Sequence, residues 1–236
     1  MSADFLKKPY PLFGRILIAA AIGLAVGYLR VQLAFLVQNG AGDYYYSMGL
    51  VRDLWQGRDP YDYPAMPDLV SYPMTAGLLS APFAPFTDEI AGGLFLGFSS
   101  ALLTWFLLGG GKSWPLFILL SWPFTYAILF VQYSPLIACI WFAPALLRLI
   151  LVKPQSALPL VFSNRLSRKG LVLGVLLLAA SMILSPGWPI AWWRSLGPYT
   201  GSIPVFSLPL GPLVLLALTK YKDRRARMLV LMAFMP

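Results

Sequence analysis

The run ILIAAAIGLAVGYL, residues 16–29, decides the fold class of this chain. It contains no charged residue and no proline, and it follows the basic residues Lys7, Lys8 and Arg15. A signal peptide begins in the same way, but no clear small-residue cleavage motif follows the apolar run. We therefore predict that residues 12–36 form an uncleaved first membrane span, with a signal peptide as the minor alternative.

The composition of the whole chain extends this interpretation to a membrane protein with several spans. The 236 residues are 58% hydrophobic and 11% charged, with a mean hydropathy of +0.71, whereas soluble domains have about 25% charged residues. Further apolar runs predict spans at 90–109, 114–131, 135–152, 170–187 and 205–219; a last run from 228 to 236 is too short to cross a bilayer. We predict an all-α, polytopic transmembrane helical bundle, with residues 1–236 forming a single integral membrane domain. The short last run predicts either a fragment of a longer protein, whose further C-terminal spans are missing here, or an end in an interfacial stub.

The composition also excludes several kinds of chemistry. The chain has no histidine and a single cysteine, Cys139, inside an apolar run. This rules out Ser-His-Asp catalysis, Cys-His pairs and ordinary zinc sites. The net charge of +9 comes from Lys and Arg clusters between apolar runs, which is typical of cytoplasmic loops rather than of a nucleic-acid surface. We predict no nucleic-acid partner.

The segment 73–86, which is apolar but short and contains three prolines, decides the orientation. If it crosses the membrane, the basic loop between Arg148 and Lys169 lies opposite the N-terminus. If it lies on the outer surface or re-enters, the basic clusters share the N-terminal side, as the positive-inside rule favours. We therefore predict a bacterial plasma-membrane protein with a cytoplasmic N-terminus and an external loop over about 38–89.

This external loop carries most of the carboxylates. Seven of the nine acidic residues lie in it: Asp43, Asp53, Asp59, Asp62, Asp68, Asp88 and Glu89. Asp43 follows NGAG, which predicts a flexible approach, and an aspartate there is a good N-cap for a helix over YYYSMGLVRDLWQ. A stripe of Tyr44, Met48, Val51 and Trp55 predicts that this helix is amphipathic and lies on the membrane surface.

The role of Asp43 stays open at this point. It is either a helix cap only, or a carboxylate held where a lipid head group lies, acting as a general base or as a cation ligand. Asp53, Asp59, Asp62 and Asp68 are predicted to be loop and turn residues, and Arg52 and Arg58 to be solvated loop charges. No spacing specific to a metal is present, so we predict no metal site and no cofactor; a divalent cation is not indicated.

The order of short motifs along the chain resembles that of the GT-C membrane glycosyltransferases. The motifs are Asp43, Tyr46, GRDPY at 57–61, YP at 72–73 and VQYSP at 131–135. They are most similar to the GT87 or DUF2029 type, which includes polyprenyl-phosphate-mannose-dependent mannosyltransferases. Two positions depart from the pattern: Val131 stands in place of a glycine, and Met74 in place of a second proline.

The resemblance implies a fold and a reaction. The fold is a GT-C-like bundle whose external loop carries an interfacial helix. Asp43 is the implied catalytic base, which deprotonates an acceptor hydroxyl that then attacks a sugar carried on polyprenyl phosphate. The partners are this donor, a lipid or glycan acceptor, and the membrane lipids.

Several further residues are predicted to bind the substrate. The leaving phosphate needs a cation, and we assign Arg30 and Arg194 to it; the alternatives are snorkelling for Arg30 and contact with bulk lipid phosphate for Arg194. Gln132 is predicted to hydrogen-bond the sugar or phosphate, or else to be a turn residue. Tyr46, Tyr61 and Tyr72 are predicted to stack on a sugar, or to belong to an interfacial aromatic belt.

Two other function classes remain. A transporter or channel subunit would place ionisable residues within its spans, and the predicted spans are nearly free of charge. The second alternative is a non-catalytic scaffold or a truncated relative of the glycosyltransferases.

Overall fold

The computed structural model describes residues 10–62, 72–154, 156–157, 160, 167–196, 204–206 and 211–234. In these ranges the chain forms helices and turns and no β-strand. The α-helices are α1 (Leu12–Val37), α2 (Tyr44–Trp55), α3 (Met74–Ser80), α4 (Asp88–Leu107), α5 (Trp122–Phe130), α6 (Ser134–Ala138), α7 (Arg168–Leu184), α8 (Trp188–Ser195) and α9 (Arg224–Ala233). The 3-10 helices are Leu108–Gly110, Trp114–Leu120, Cys139–Trp141, Pro144–Leu151, Pro204–Phe206 and Gly211–Lys220. The all-helical class is therefore confirmed for the described part of the chain.

Two helices, α1 and the stretch Asp88–Gly110, are long and apolar enough to cross a membrane. The 26 residues of α1 span about 39 Å, more than the roughly 30 Å of a bilayer core. The first turn of α4 contains Asp88 and Glu89, whose charges favour a helix N-terminus. A third span exists if α7 and α8, which meet at 92°, are counted together. The structure thus supports a membrane protein with two or three candidate spans among the described residues.

The remaining predicted spans are broken into short pieces. The predicted span 114–131 consists of a 3-10 helix and α5, separated at Ser121, whose backbone is extended. The predicted span 135–152 is interrupted at Ala143, which is also extended and precedes Pro144. A residue before proline disfavours the helical conformation, because the proline ring clashes with it. In the predicted span 205–219, the described residues form two 3-10 helices. The number of predicted spans is therefore not confirmed.

The chain divides into two compact units, one of Met1–Arg58 with Ser80–Phe142 and the other of Asp59–Leu79 with Ala143–Pro236. In the first unit α1 packs along α4, and α5 and α6 join this pair. In the second unit α7 packs against the 3-10 helix Pro144–Leu151, and α9 packs against the 3-10 helix Gly211–Lys220.

The contact between α1 and α4 is made by backbone against backbone. A Cβ atom added to Gly97 would lie 2.8 Å from the carbonyl oxygen of Gly23, and one added to Gly27 would lie 2.9 Å from that of Gly93. Each helix therefore contributes a Gly-x-x-x-Gly pair, Gly23 with Gly27 and Gly93 with Gly97. Such pairs let membrane helices approach closely. The motif is visible in the sequence, but the sequence analysis did not use it.

Helix α2 begins and ends close to its predicted bounds, but its apolar side is covered by protein. The Tyr44 ring stacks on Phe95 of α4 with ring centroids 4.1 Å apart, and Met48 and Val51 are buried. Trp55, predicted to extend the same stripe, is 59% exposed. The predicted interfacial helix is thus mainly a packed helix of the first unit, because α4 offers an aromatic surface to it.

The charge-based layout is wrong for at least one segment of the second unit. That layout places Tyr72 outside and Lys153 in the cytoplasm. In the structure the Lys153 Nζ atom donates a hydrogen bond to Tyr72 Oη at 3.3 Å, and the Thr75 hydroxyl donates to the Leu151 carbonyl. The structure therefore brings together two segments that the charge-based layout separates.

Substitution of Gly97 tests the close approach of α1 and α4. We expect Gly97→Ala to lower the free energy of unfolding by about 1–3 kcal/mol, because the new methyl group overpacks a backbone contact. Gly14→Ala is the matched control, since Gly14 lies in α1 with nothing within 4 Å of its Cβ position. It should leave stability unchanged or raise it, because alanine favours a helix. Thermal unfolding of both variants in the same detergent measures the difference; equal melting temperatures would contradict the backbone contact.

Candidate functional site

The loop of residues 38–43 leaves α1 in a fixed, unusual backbone conformation. Gln38, Gly40 and Gly42 all have positive φ angles, of 52°, 49° and 54°. At Gly42 a Cβ atom would lie 2.6 Å from the Phe130 carbonyl oxygen, and the Asp43 amide donates to that same oxygen at 2.8 Å. Glycine is therefore required at 42 both by conformation and by space. The predicted flexible approach is instead held against the end of α5.

Arg30 and Asn39 connect this loop to the helices behind it. The Arg30 side chain is fully buried, and its Nη2 atom donates to Asn39 Oδ1 at 2.8 Å and to the Gly40 carbonyl. The Asn39 amide in turn donates to the Leu129 carbonyl at 2.9 Å. Arg30 also has an attractive electrostatic interaction with Glu89. Arg30 therefore lies behind the loop and positions it.

Asp43 and Gln132, which come from two separate predicted motifs, meet in the structure. The Gln132 Nε2 atom donates a hydrogen bond to Asp43 Oδ2. Only the amide nitrogen of glutamine can face a carboxylate in this way, because its oxygen is an acceptor. Asp43 directly precedes α2, yet its side chain makes no capping hydrogen bond. Asp43 therefore occupies the N-cap position, as predicted, but its carboxylate bonds Gln132 rather than capping the helix.

The turn that presents Gln132 has a strained residue beside it. Val131 has a φ of 50° and is fully buried. This left-handed conformation favours glycine and is costly for a β-branched residue. Val131 is the residue that stands in place of glycine in the resembled motif, and its positive φ is one that glycine adopts without strain.

A cavity of about 520 Å³ opens in front of Asp43. It is lined by the whole loop 38–43, by Tyr45 and Tyr46 of α2, and by Asp88 and Glu89 of α4. No lysine or arginine lines it within the described part of the chain. The lining therefore combines carboxylates, amides and two aromatic rings, which suits a partner rich in hydroxyl groups better than an anion.

The loop charges near this cavity are paired rather than solvated. Arg52 donates to Asp88 Oδ1 at 2.5 Å and to the carbonyls of Ala84 at 3.0 Å and Phe86 at 2.6 Å. Asp53 is buried and accepts hydrogen bonds from Arg58. The prediction that Arg52 is a solvated loop charge is therefore wrong. Asp53, predicted to be a loop or turn residue, lies within α2. Pairing compensates for the removal of these groups from water.

A buried cluster of three hydroxyl groups includes the residue next to Gln132 in the sequence and a serine of α2. Tyr133 Oη lies 2.8 Å from Ser47 Oγ and 2.9 Å from Ser80 Oγ, and the two serine oxygens are 3.0 Å apart. The cluster joins Ser47 of α2, Ser80 at the end of α3, and Tyr133, which follows Gln132. The sequence analysis missed it, because the three residues are far apart in sequence and each is common in apolar segments.

The other predicted site residues belong to the second unit. The Tyr61 hydroxyl donates to the Tyr72 carbonyl at 3.0 Å, and Tyr72 is buried. Arg194 is exposed in the last turn of α8. Asp59 accepts from the Tyr61 amide at 2.9 Å, as a turn aspartate does. Asp68 lies outside the described residues.

No group of three or more His, Cys, Asp or Glu side chains among the described residues is arranged to hold a metal ion. No protein-family model matches the chain, and no curated protein and no solved structure is significantly similar to it. The resemblance to GT-C glycosyltransferases therefore depends on the quoted sequence motifs alone.

Gly42 and Gly57 form a matched pair for testing the loop. Both have positive φ, 54° and 70°, but only Gly42 has atoms within 4 Å of its Cβ position. Both alanine variants should suffer the same backbone strain, whereas Gly42→Ala should lose about 1–3 kcal/mol more, because its methyl group meets a carbonyl. Chemical or thermal unfolding measures the difference. Equal losses would show that the loop does not press on Phe130.

The pH dependence of stability tests the hydroxyl cluster. Burial raises the pKa of Tyr133 above its ordinary value, and burial together with the nearby Tyr133 raises the pKa of Tyr44. Their contribution to stability is complete below the unfolded pKa of about 10 and is lost as the pH rises beyond it, because only the unfolded phenols ionise readily.

The variant Tyr133→Phe should therefore lose about 1 kcal/mol of stability at neutral pH and show a weaker loss above pH 10. Tyr28→Phe is the control, since Tyr28 is 69% exposed on α1. Unfolding curves from pH 8 to 11 measure both effects. A Tyr133→Phe profile that falls as steeply as that of the wild type would contradict the assignment.

Proposed function

We propose that the chain is a membrane-embedded glycosyltransferase. It would move a sugar from a polyprenyl-phosphate donor to the hydroxyl group of a lipid or glycan acceptor. The observation that carries the proposal is the contact of Asp43 with Gln132. These two residues are 89 positions apart, come from separate motifs of the resembled family, and meet beside a polar cavity at the end of a candidate span.

Asp43 would act as the general base. Gln132 holds Oδ2, whereas Oδ1 accepts no hydrogen bond from the described residues, so it is available to an acceptor hydroxyl. The acceptor proton moves to Oδ1 while the acceptor oxygen attacks the anomeric carbon of the sugar. The bond between that carbon and the phosphate oxygen breaks, and the phosphate leaves with the electron pair. The donated hydrogen bond stabilises the carboxylate and fixes its direction.

The lining of the cavity suggests which parts of the substrates it holds. Asp43, Asp88 and Glu89 can accept hydrogen bonds from sugar hydroxyls, whereas no lysine or arginine among the described lining residues offers a contact to a phosphate. Tyr46 lines the same cavity and offers a ring on which a sugar can stack. We therefore assign the cavity to the acceptor hydroxyl and the transferred sugar.

The phosphate of the donor is bonded to the anomeric carbon of the transferred sugar, so it would lie at the edge of the cavity and need a cation that the described lining does not supply. Arg30 is buried behind the loop and would act by positioning Asn39 and Gly40 rather than by touching phosphate. Arg194 is exposed in the second unit and remains our candidate for the phosphate. Tyr61 stays a predicted sugar contact, whereas Tyr72 is buried and offers no exposed ring on which a sugar could stack.

A second function is favoured by the same hydrogen bonds. Asp43 and Gln132 also join the loop 38–43 to the end of α5, so their contact would stabilise a non-catalytic membrane scaffold or transporter subunit equally well. The two functions differ in one respect: only catalysis requires the negative charge of Asp43.

Replacement of Asp43 by asparagine separates them. Asparagine keeps the size and can still accept from Gln132, but it cannot take a proton from the acceptor. We expect Asp43→Asn to lower sugar transfer by about 10²–10⁴-fold with little change in melting temperature. The matched control is Asp62→Asn, at an exposed aspartate that does not line the cavity.

The assay uses membranes containing the full chain and labelled polyprenyl-phosphate sugars. Loss of transfer in Asp43→Asn with full activity in Asp62→Asn supports catalysis by Asp43. Equal activity of both variants would mean that the base lies elsewhere. Transfer by neither the variants nor the wild type, with every donor tried, would favour the scaffold.

A further inference from the structure

The last described segment of the second unit is a pair of apolar helices joined by a basic turn. The 3-10 helix Gly211–Lys220 and α9 pack against each other. Both expose apolar side chains, among them Leu213 and Leu216 on the first and Leu229 and Leu231 on the second. Leu216 is 64% exposed. In a membrane protein such surfaces are covered by lipid.

The turn between the two helices concentrates positive charge. Residues 220–227 contain five basic residues, Lys220, Lys222, Arg224, Arg225 and Arg227, and one acidic residue, Asp223. Lys220, Lys222 and Arg227 are exposed. Tyr221 is exposed between them, and tyrosine is enriched at the level of lipid head groups.

The N-terminus of α9 adds to the positive charge of this turn. Arg224 and Arg225 open α9, where the helix dipole already places a partial positive charge. Asp223 directly precedes α9 and offsets part of this effect, but the five basic residues against one acidic residue leave the turn with a net charge of +4. An anion bound at the turn would offset this remaining charge.

We propose that Lys220–Arg227 is a binding site for anionic phospholipid head groups. The 3-10 helix Gly211–Lys220 and α9 would contact lipid chains through their exposed apolar side chains. The turn that joins them would then lie at the level of the head groups. There, basic clusters next to apolar segments attract anionic lipids. The site shares no residue with the cavity at Asp43, and the proposal does not depend on the proposed glycosyltransferase activity.

The test measures the lipid preference of the full chain in phosphatidylcholine bilayers. Spin-labelled phosphatidylglycerol and spin-labelled phosphatidylcholine are compared by the fraction that the protein immobilises. We expect the wild type to prefer phosphatidylglycerol. A variant with glutamine at all five basic positions should lose this preference by at least about tenfold, since each charge near the surface contributes about fivefold.

Further variants make the test specific. The charge-preserving variant has Lys220→Arg, Lys222→Arg, Arg224→Lys, Arg225→Lys and Arg227→Lys, and it should keep the preference. The second variant, Arg168→Gln with Lys169→Gln, removes two exposed charges from the start of α7. It should lower the preference less than Lys220→Gln with Lys222→Gln, which removes two exposed charges from the turn itself. Melting temperatures confirm that each variant is folded.

Three results would overturn the proposal. One is an unchanged preference in the five-glutamine variant. Another is a loss in the Arg168 and Lys169 variant as large as that in the Lys220 and Lys222 variant, which would make the effect one of net charge. The last is displacement of the lipid by millimolar inorganic phosphate or by duplex DNA, which would assign the turn to a soluble polyanion.

Discussion

The close approach of α1 and α4 at their glycine pairs is the constraint on which the first unit depends. Lipid gives two apolar helices no hydrophobic reason to associate, so their packing must come from contact between atoms. Glycine permits the backbones themselves to touch. The C-terminal end of α1 leads into the loop 38–43, and α4 begins with Asp88 and Glu89. The same contact therefore sets the distance between the two walls of the cavity.

A buried cation at the end of α1 gives the loop its shape. Burying the Arg30 guanidinium is costly, and hydrogen bonds from it to Asn39 and to the Gly40 carbonyl reduce the cost. The Asn39 amide oxygen accepts from Arg30 of α1, and its amide nitrogen donates to the Leu129 carbonyl of α5. One side chain therefore connects the loop to two helices. A segment of small residues, NGAG, thus becomes rigid enough to hold Asp43 in one direction.

The sequence predicted the parts of this structure that depend on local properties alone. Helix α1 followed from length and apolarity, and α2 from the position of Asp43 and from periodicity. The predicted span 135–152 is not continuous in the structure, because Pro144 breaks the helix at Ala143. The mean hydropathy of the segment does not reveal this break. The hydrogen bond between Gln132 and Asp43, and the pairing of Arg52 with Asp88, join residues far apart in sequence. The spacing of these residues in the sequence does not predict such contacts. The two Gly-x-x-x-Gly pairs, in contrast, are sequence motifs from which the packing of α1 on α4 could have been predicted.

The electrostatics of the cavity constrain how such an enzyme could work. A general base must remain an anion next to the acceptor, whereas a phosphate that leaves must be met by a cation. No lysine or arginine lines the cavity within the described part of the chain, and Arg52 is already engaged by Asp88, so the proposed reaction would need a further cation for the phosphate. In the proposed mechanism the acceptor would lie on the Asp43 side of the anomeric carbon and the phosphate on the opposite side. This arrangement favours Oδ1 of Asp43 as the reacting atom, since Gln132 already holds the other oxygen.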